Sequence, residues 1–97
     1  MSNHLVELRR HPRSRVSWPV TVEAGGQSLQ RETLDVSRFG AKVRMHDELL
    51  LGSTARLSLR RPQDGALDVD SIVWRADPDG MAFFFFGGAV DELSFGT

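Results

Sequence analysis

Apolar residues in this chain recur at every second position, in runs too short for helices. Val16, Trp18, Val20 and Val22 alternate with Ser17, Pro19, Thr21 and Glu23. Ala41, Val43 and Met45 alternate with Lys42 and Arg44, and Ala55, Leu57 and Leu59 with Arg56, Ser58 and Arg60. Successive side chains of a strand point to opposite faces, so this period marks ribbons with one buried side and one wet side. A run at 29–36 changes phase between Leu29 and Leu34, which predicts a bulge or twist there. Runs at 67–74 and 81–86 bring the number of strands to six.

The connections agree with that reading. "AGGQ" at 24–27, "PQDG" at 62–65 and "DPDG" at 77–80 are turn sequences. In the last of these, proline presets φ and glycine is expected to supply positive φ. "HDELLLGS" at 46–53 has room for one helical turn. Six short strands joined by tight turns predict an all-β fold: a six-stranded antiparallel (split) β-barrel with little or no C-terminal helix. Proline cannot donate to a ladder, so Pro19 predicts an edge or bulged first strand. In "FFFF" at 83–86, alternation sends Phe83 and Phe85 inward with Met81 and turns Phe84 and Phe86 outward. The outward pair is either covered by Val90, Leu93 and Phe95 of the tail or left as a face for a partner, such as a second copy in a homodimer.

The 97 residues suit a single domain: an Arg-rich flexible segment over 1–15, a barrel over 16–86 and a tail over 87–97. The absence of cysteine excludes disulfides, thiolate metal sites and cysteine nucleophiles. No apolar run approaches the roughly 20 residues that span a bilayer, and the N-terminus lacks the order of a secretory signal. The expectation is a cytoplasmic protein without membrane insertion. His4, His11 and His46 are scattered, and none pairs with an acid at metal-ligand spacing. There is no nucleophile elbow and no phosphate loop. Asp68 and Asp70 share one strand face and read as a solvated surface rather than an ion site. The chain is therefore expected not to be an enzyme and to need no cofactor.

Charge is distributed unevenly about a net of −1. Residues 1–45 hold eight basic and four acidic residues, and residues 46–97 hold four basic and nine acidic ones. Eleven of the twelve basic residues are arginine, whose planar fork meets phosphates and guanine edges in bidentate fashion. Four of them crowd into "LRRHPRSR" at 8–15, where Arg9 and Arg13 form R-x-x-x-R. The second feature is "DVSRFG" at 35–40, of the form D-x-S-x-x-G. Asp35 offers two oxygens to paired donors such as the N1–H and N2–H₂ edge of guanine, and Ser37 adds a hydroxyl. Gly40 allows positive φ or the close approach of a ligand to the backbone. Asp, Ser and Gly are also common turn residues, and the pattern arises in roughly one random chain of this length in twenty. Its weight comes from order: the arginine segment precedes the first strand, and the D-x-S-x-x-G segment lies between the second and third.

In that order the two motifs resemble the PilZ domain family, receptors for the bacterial second messenger cyclic di-GMP. The similarity extends through "LLLGSTARLSL" and "IVWRADPDGMAFFF" and covers about residues 7 to 86. The resemblance implies that Arg9 and Arg13 grip the ligand with help from Arg10, and that Asp35, Ser37 and Gly40 hold a guanine against the barrel. It also implies a non-catalytic receptor whose bound state signals to an unidentified downstream protein. Arginine contacts guanine O6/N7, stacks on its face and pairs with phosphate, so the chemistry fits the implied ligand.

Two other readings use the same residues. One is a PilZ-like protein-interaction module that binds no ligand. The other is a small barrel for single-stranded nucleic acid, which would combine a basic groove with stacking aromatics. The acidic second half, the lack of tyrosine and phenylalanines that fit a core argue against nucleic acid.

Overall fold

The computed structural model describes residues 14–88. Six strands follow in order: β1 (Pro19–Ala24), β2 (Gln27–Val36), β3 (Gly40–Arg44), β4 (Thr54–Arg61), β5 (Gly65–Asp77) and β6 (Gly80–Gly88). All neighbours are antiparallel, and the sheet closes as β1-β2-β3-β6-β5-β4. The predicted barrel is thus present, and every element among the described residues is a strand. The Arg-rich loop through Arg13 and the tail packing by Val90, Leu93 and Phe95 lie outside the described residues.

Alternation fills the interior as expected. Val22, Val43, Leu57, Leu59, Val69 and Val73 are completely buried. Full burial stabilises each such side chain by about 1.5–3 kcal/mol. Phe83 and Phe85 enter this core, whereas Phe84 and Phe86 face outward, 43% and 59% exposed. Buried Ser71 donates its hydroxyl to the Ala55 carbonyl at 2.8 Å, so the polar atom inside the core is satisfied. The β1–β2 hairpin turns on Gly25 and Gly26, both at positive φ (58° and 80°), the geometry that suits a two-residue hairpin.

Four local expectations are corrected. The first strand begins at Pro19 rather than Val16, because the Thr33 side chain takes over the backbone groups before it. The Trp18 N–H donates to Thr33 Oγ1, and that hydroxyl donates to the Val16 carbonyl. Pro19 is neither an edge nor a bulge residue. It opens β1 opposite Glu32, one position before the β1–β4 pairing starts at Val20, so its missing N–H costs the barrel nothing. The 46–53 connection contains no helical turn and is instead tied to β5: Gly52 N–H donates to Val73 O (2.7 Å), and Val73 N–H to Ser53 O (2.8 Å). Gly80 in the "DPDG" turn is not at positive φ. A Cβ there would lie 2.3 Å from the Val43 carbonyl oxygen, so the position is glycine because two backbones meet.

Candidate functional site

The D-x-S-x-x-G segment is shaped by a bulge. In β2, Thr33 pairs with Val43 and Asp35 with Lys42, so Leu34 is the extra residue. Thr33 is buried, and without the bulge Asp35 would follow it inward. The inserted residue instead sends Val36 into the core and leaves Asp35 beside Lys42 on the outer face. The predicted phase change is this bulge.

The turn that follows is fastened from within. Ser37 is buried; its N–H donates to Gly40 O at 2.8 Å, and its hydroxyl accepts the Phe39 N–H at 3.2 Å. Phe39 O in turn accepts the Phe85 N–H at 2.8 Å, tying the turn to β6. Gly40 has no positive φ, and the backbone approaching it belongs to β6: a Cβ would sit 2.3 Å from the Phe83 carbonyl oxygen. Ser37 and Gly40 therefore set the turn's shape, while Arg38 and Phe39 are exposed at its tip.

A second bulge faces the first across the sheet. Val73 pairs with Phe83 and Arg75 with Ala82, leaving Trp74 as the extra residue of β5. The registers line up Asp35, Lys42, Ala82 and Arg75 across β2, β3, β6 and β5. The small Ala82 leaves a gap between long neighbours. This upper hollow, of about 270 Å³, has Lys42 and Arg75 on its cationic side and Phe39, Trp74 and Phe84 as its aromatic wall. The Trp74 and Phe84 rings lie 5.8 Å apart at 37°.

Acids below the hollow hold its cations. Lys42 Nζ contacts Asp77 at 3.0 Å and Asp79 at 3.1 Å, and Arg75 Nε donates to both Asp77 oxygens at 2.8 and 3.0 Å. These bonds raise the Lys42 pKa, through Asp77 first and Asp79 second, and raise that of Arg75 through Asp77, with the charge of Asp35 adding to it. Asp77 is held below the usual carboxylate range by Arg75 and then Lys42, and Asp79 by Lys42. Both cations stay charged at neutral pH.

Sequence reasoning identified Asp35, Ser37 and Gly40, which the structure brings to one end of β2 and β3. It missed Lys42, Trp74 and Arg75. Their convergence depends on strand register, although Arg75 and Asp77, two apart on one strand, were a readable hint. Arg9, Arg10 and Arg13 lie outside the described residues. What the structure does give is their point of attachment: Ser14 forms a two-bond bridge to Val36, with both N–H···O distances 2.9 Å. Asp68 and Asp70 line the outer face of β5, where Asp70 pairs with Arg56 at 2.9 Å. Among the described residues no three His, Asp or Glu side chains are grouped to hold a metal. No helix among them is long and apolar enough to cross a membrane.

The family model described as the PilZ domain matches residues 7–92. The chain belongs to the PilZ domain family. That family comprises cyclic di-GMP receptors, non-catalytic binding modules that work with partner proteins. Two solved structures share the fold. The Bacillus subtilis inhibitor of motility MotI/DgrA superposes with a TM-score of 0.73 at 19% identity, over 87% of this chain and 45% of its own. The chain thus spans less than half of that protein. The PilZ domain of CeSA from a cellulose-synthesizing bacterium gives 0.63 at 24% identity, over 82% of this chain and 85% of its own. No curated protein matches the chain in sequence.

Proposed function

We propose that this PilZ domain is a cyclic di-GMP receptor that performs no chemistry and signals by ordering its N-terminal segment over the upper hollow. One observation carries the reading. The bridge between Ser14 and Val36 delivers the chain that ends in Arg13 to the residue flanked by Asp35 and Ser37. Two motifs separated in sequence are thereby attached at one point on the barrel.

The roles follow from chemistry. Asp35 accepts the N1–H and N2–H₂ of a guanine, and Ser37 and Gly40 hold the turn against which that base lies. Arg9, Arg10 and Arg13 supply forks for the guanine O6/N7 edge and the two phosphates. Trp74 and Phe84 offer faces for stacking, and Lys42 and Arg75, whose charge Asp77 and Asp79 balance, offer N–H donors beside them. Binding shifts the population of the N-terminal segment by its differential affinity for the ordered state, and a partner protein reads the new surface.

Isothermal titration calorimetry with cyclic di-GMP tests this, with GTP and cyclic di-AMP as controls. Saturable binding of cyclic di-GMP alone is expected. Arg13→Ala and Asp35→Ala should each weaken it about 10- to 100-fold, as expected for a lost bidentate contact of about 1–3 kcal/mol. No heat with the wild-type protein at high concentration overturns the proposal.

A further inference from the structure

The residues that lead into β1, Ser14 to Trp18, lie along β2 as a strap with two fastenings. At the end away from β1, Ser14 and Val36 exchange N–H···O bonds of 2.9 Å. At the end next to β1, Thr33 N–H donates to Trp18 O at 2.9 Å, and Trp18 N–H donates to Thr33 Oγ1 at 2.9 Å. Between the fastenings, Arg15, Val16 and Ser17 of the strap stand opposite Leu34 and Asp35 of β2. Unequal lengths interrupt a ladder. Among the described residues, Val16 is the one strap residue in this interval whose backbone reaches β2, and it does so through a side chain: its carbonyl accepts the Thr33 hydroxyl.

Position 33 has no need of a polar group for the barrel's own sake. Thr33 is 1% exposed and pairs with buried Val43. A valine would match its shape and suit a strand equally well. What a valine lacks is an atom that both accepts and donates. The hydroxyl uses both capacities, one toward the Trp18 N–H and one toward the Val16 carbonyl, and so spans the place where the ladder stops. Held this way, the strap packs Val16 and Trp18 against the core, leaves Arg15 and Ser17 exposed, and brings Ser14 to the residue between Asp35 and Ser37.

We propose that Thr33 is a positioning residue, whose hydroxyl latches the strap to β2 and thereby fixes where the arginine segment meets Asp35. The Ser14 bridge is isolated, with no ladder neighbour to hold it closed, so it opens readily once the strap behind it is released. The latch belongs to the free protein, whereas its effect on a ligand rests on the cyclic di-GMP reading above. A ligand that needs the strap closed binds with an affinity reduced by the fraction of molecules in which it is open.

Amide hydrogen exchange on the whole chain without ligand, and calorimetry with cyclic di-GMP, test the two parts. Thr33→Val should speed exchange at Ser14, Trp18 and Val36 about tenfold more than at Val22 and Val43, as loss of two bonds to one hydroxyl implies. Thr33→Ser keeps the hydroxyl and should keep the wild-type ratio of strap to barrel exchange, even where the missing methyl lowers overall stability. Thr33→Val should also weaken cyclic di-GMP binding about 3- to 10-fold, and Thr33→Ser should not. That loss should shrink in an Arg13→Ala background and persist in an Asp35→Ala background, because the latch acts through the arginine segment. Equal acceleration of strap and barrel amides, or a serine variant that behaves like the valine one, marks a merely structural residue and overturns the proposal. Local opening of the strap with unchanged affinity overturns it too. If the wild-type protein takes up no cyclic di-GMP, the receptor reading falls, and the exchange ratio alone upholds or overturns the latch.

Discussion

The upper hollow and a second, lower one of about 580 Å³ lie at opposite ends of β3 and β6 and are built in opposite ways. The upper one is made within the ladder: bulges at Leu34 and Trp74 put Asp35 and Arg75 at the two ends of the row that holds Lys42 and Ala82. The lower one, with Leu50 and Leu51 at its lip, is made outside the ladder, by the 46–53 connection pinned to β5 and to Arg31. One gathers aromatic faces and cations, the other leucines and carboxylates. The difference teaches where each can change. The upper site is bound up with strand pairing and tolerates little backbone alteration, whereas the lower surface can vary without disturbing the barrel.

The largest expected effect breaks the upper site through its scaffold. Gly40→Ala places a Cβ against the Phe83 carbonyl and should cost about 2–3 kcal/mol, as overpacking of close backbones does. A thermal melt should fall by roughly 10–20 °C for a domain of this size. Leu50→Ser/Leu51→Ser should change urea-unfolding stability by no more than about 0.5 kcal/mol. Equal losses in the two variants would erase the distinction between scaffolded and appended surfaces.

A second expectation sharpens the upper hollow's assignment. Trp74→Ala should weaken cyclic di-GMP binding about tenfold, the lower range of a base–aromatic stack worth ~1–3 kcal/mol. It should also remove the ligand-induced change in tryptophan fluorescence, leaving Trp18 silent. A full response from the Trp74→Ala protein would place the ligand elsewhere.

The smallest effect concerns the acids between the hollows. Asp77 and Asp79 have folded pKa values below their ordinary ones, so their contribution is present above about pH 4 and lost as pH falls through the lowered values. Lys42 is shifted up, so its contribution is present below about pH 10.4 and lost as pH rises through the raised value. Lys42→Met should flatten the stability profile at both extremes, and most of the acid-side difference should appear below pH 4. Identical profiles for variant and wild type, read by urea titration at each pH, would show that the bridges contribute nothing measurable.

What the sequence made legible was whatever a two-residue period encodes. Phe83 and Phe85 could be placed inside and Phe84 and Phe86 outside from alternation alone. The conflict of phase between Leu29 and Leu34 marked the β2 bulge. The missing donor of Pro19 read as an edge or a bulge, whereas the registers of β1 with β2 and β4 make it the strand's first residue. Gly80 was read through its conformational freedom and Gly40 through that freedom or the approach of a ligand, but the structure uses their lack of a side chain to bring a neighbouring strand's backbone close. The motif positions Asp35, Ser37 and Gly40 were visible as residue types in a fixed spacing. Lys42, Trp74 and Arg75 were not, since their meeting depends on two registers and a bulge that no local pattern announces. The arginines of the first motif lie outside the described residues, and their roles rest on the attachment at Ser14.

The most direct test follows backbone and indole N–H signals of the whole chain by NMR as cyclic di-GMP is added. The account predicts saturable shifts at Asp35, Phe39, Gly40 and the Trp74 indole, with the amides of Leu49, Leu50 and Leu51 changing far less. A titration that leaves the upper hollow unmoved, or that moves the lower hollow alone, would contradict it.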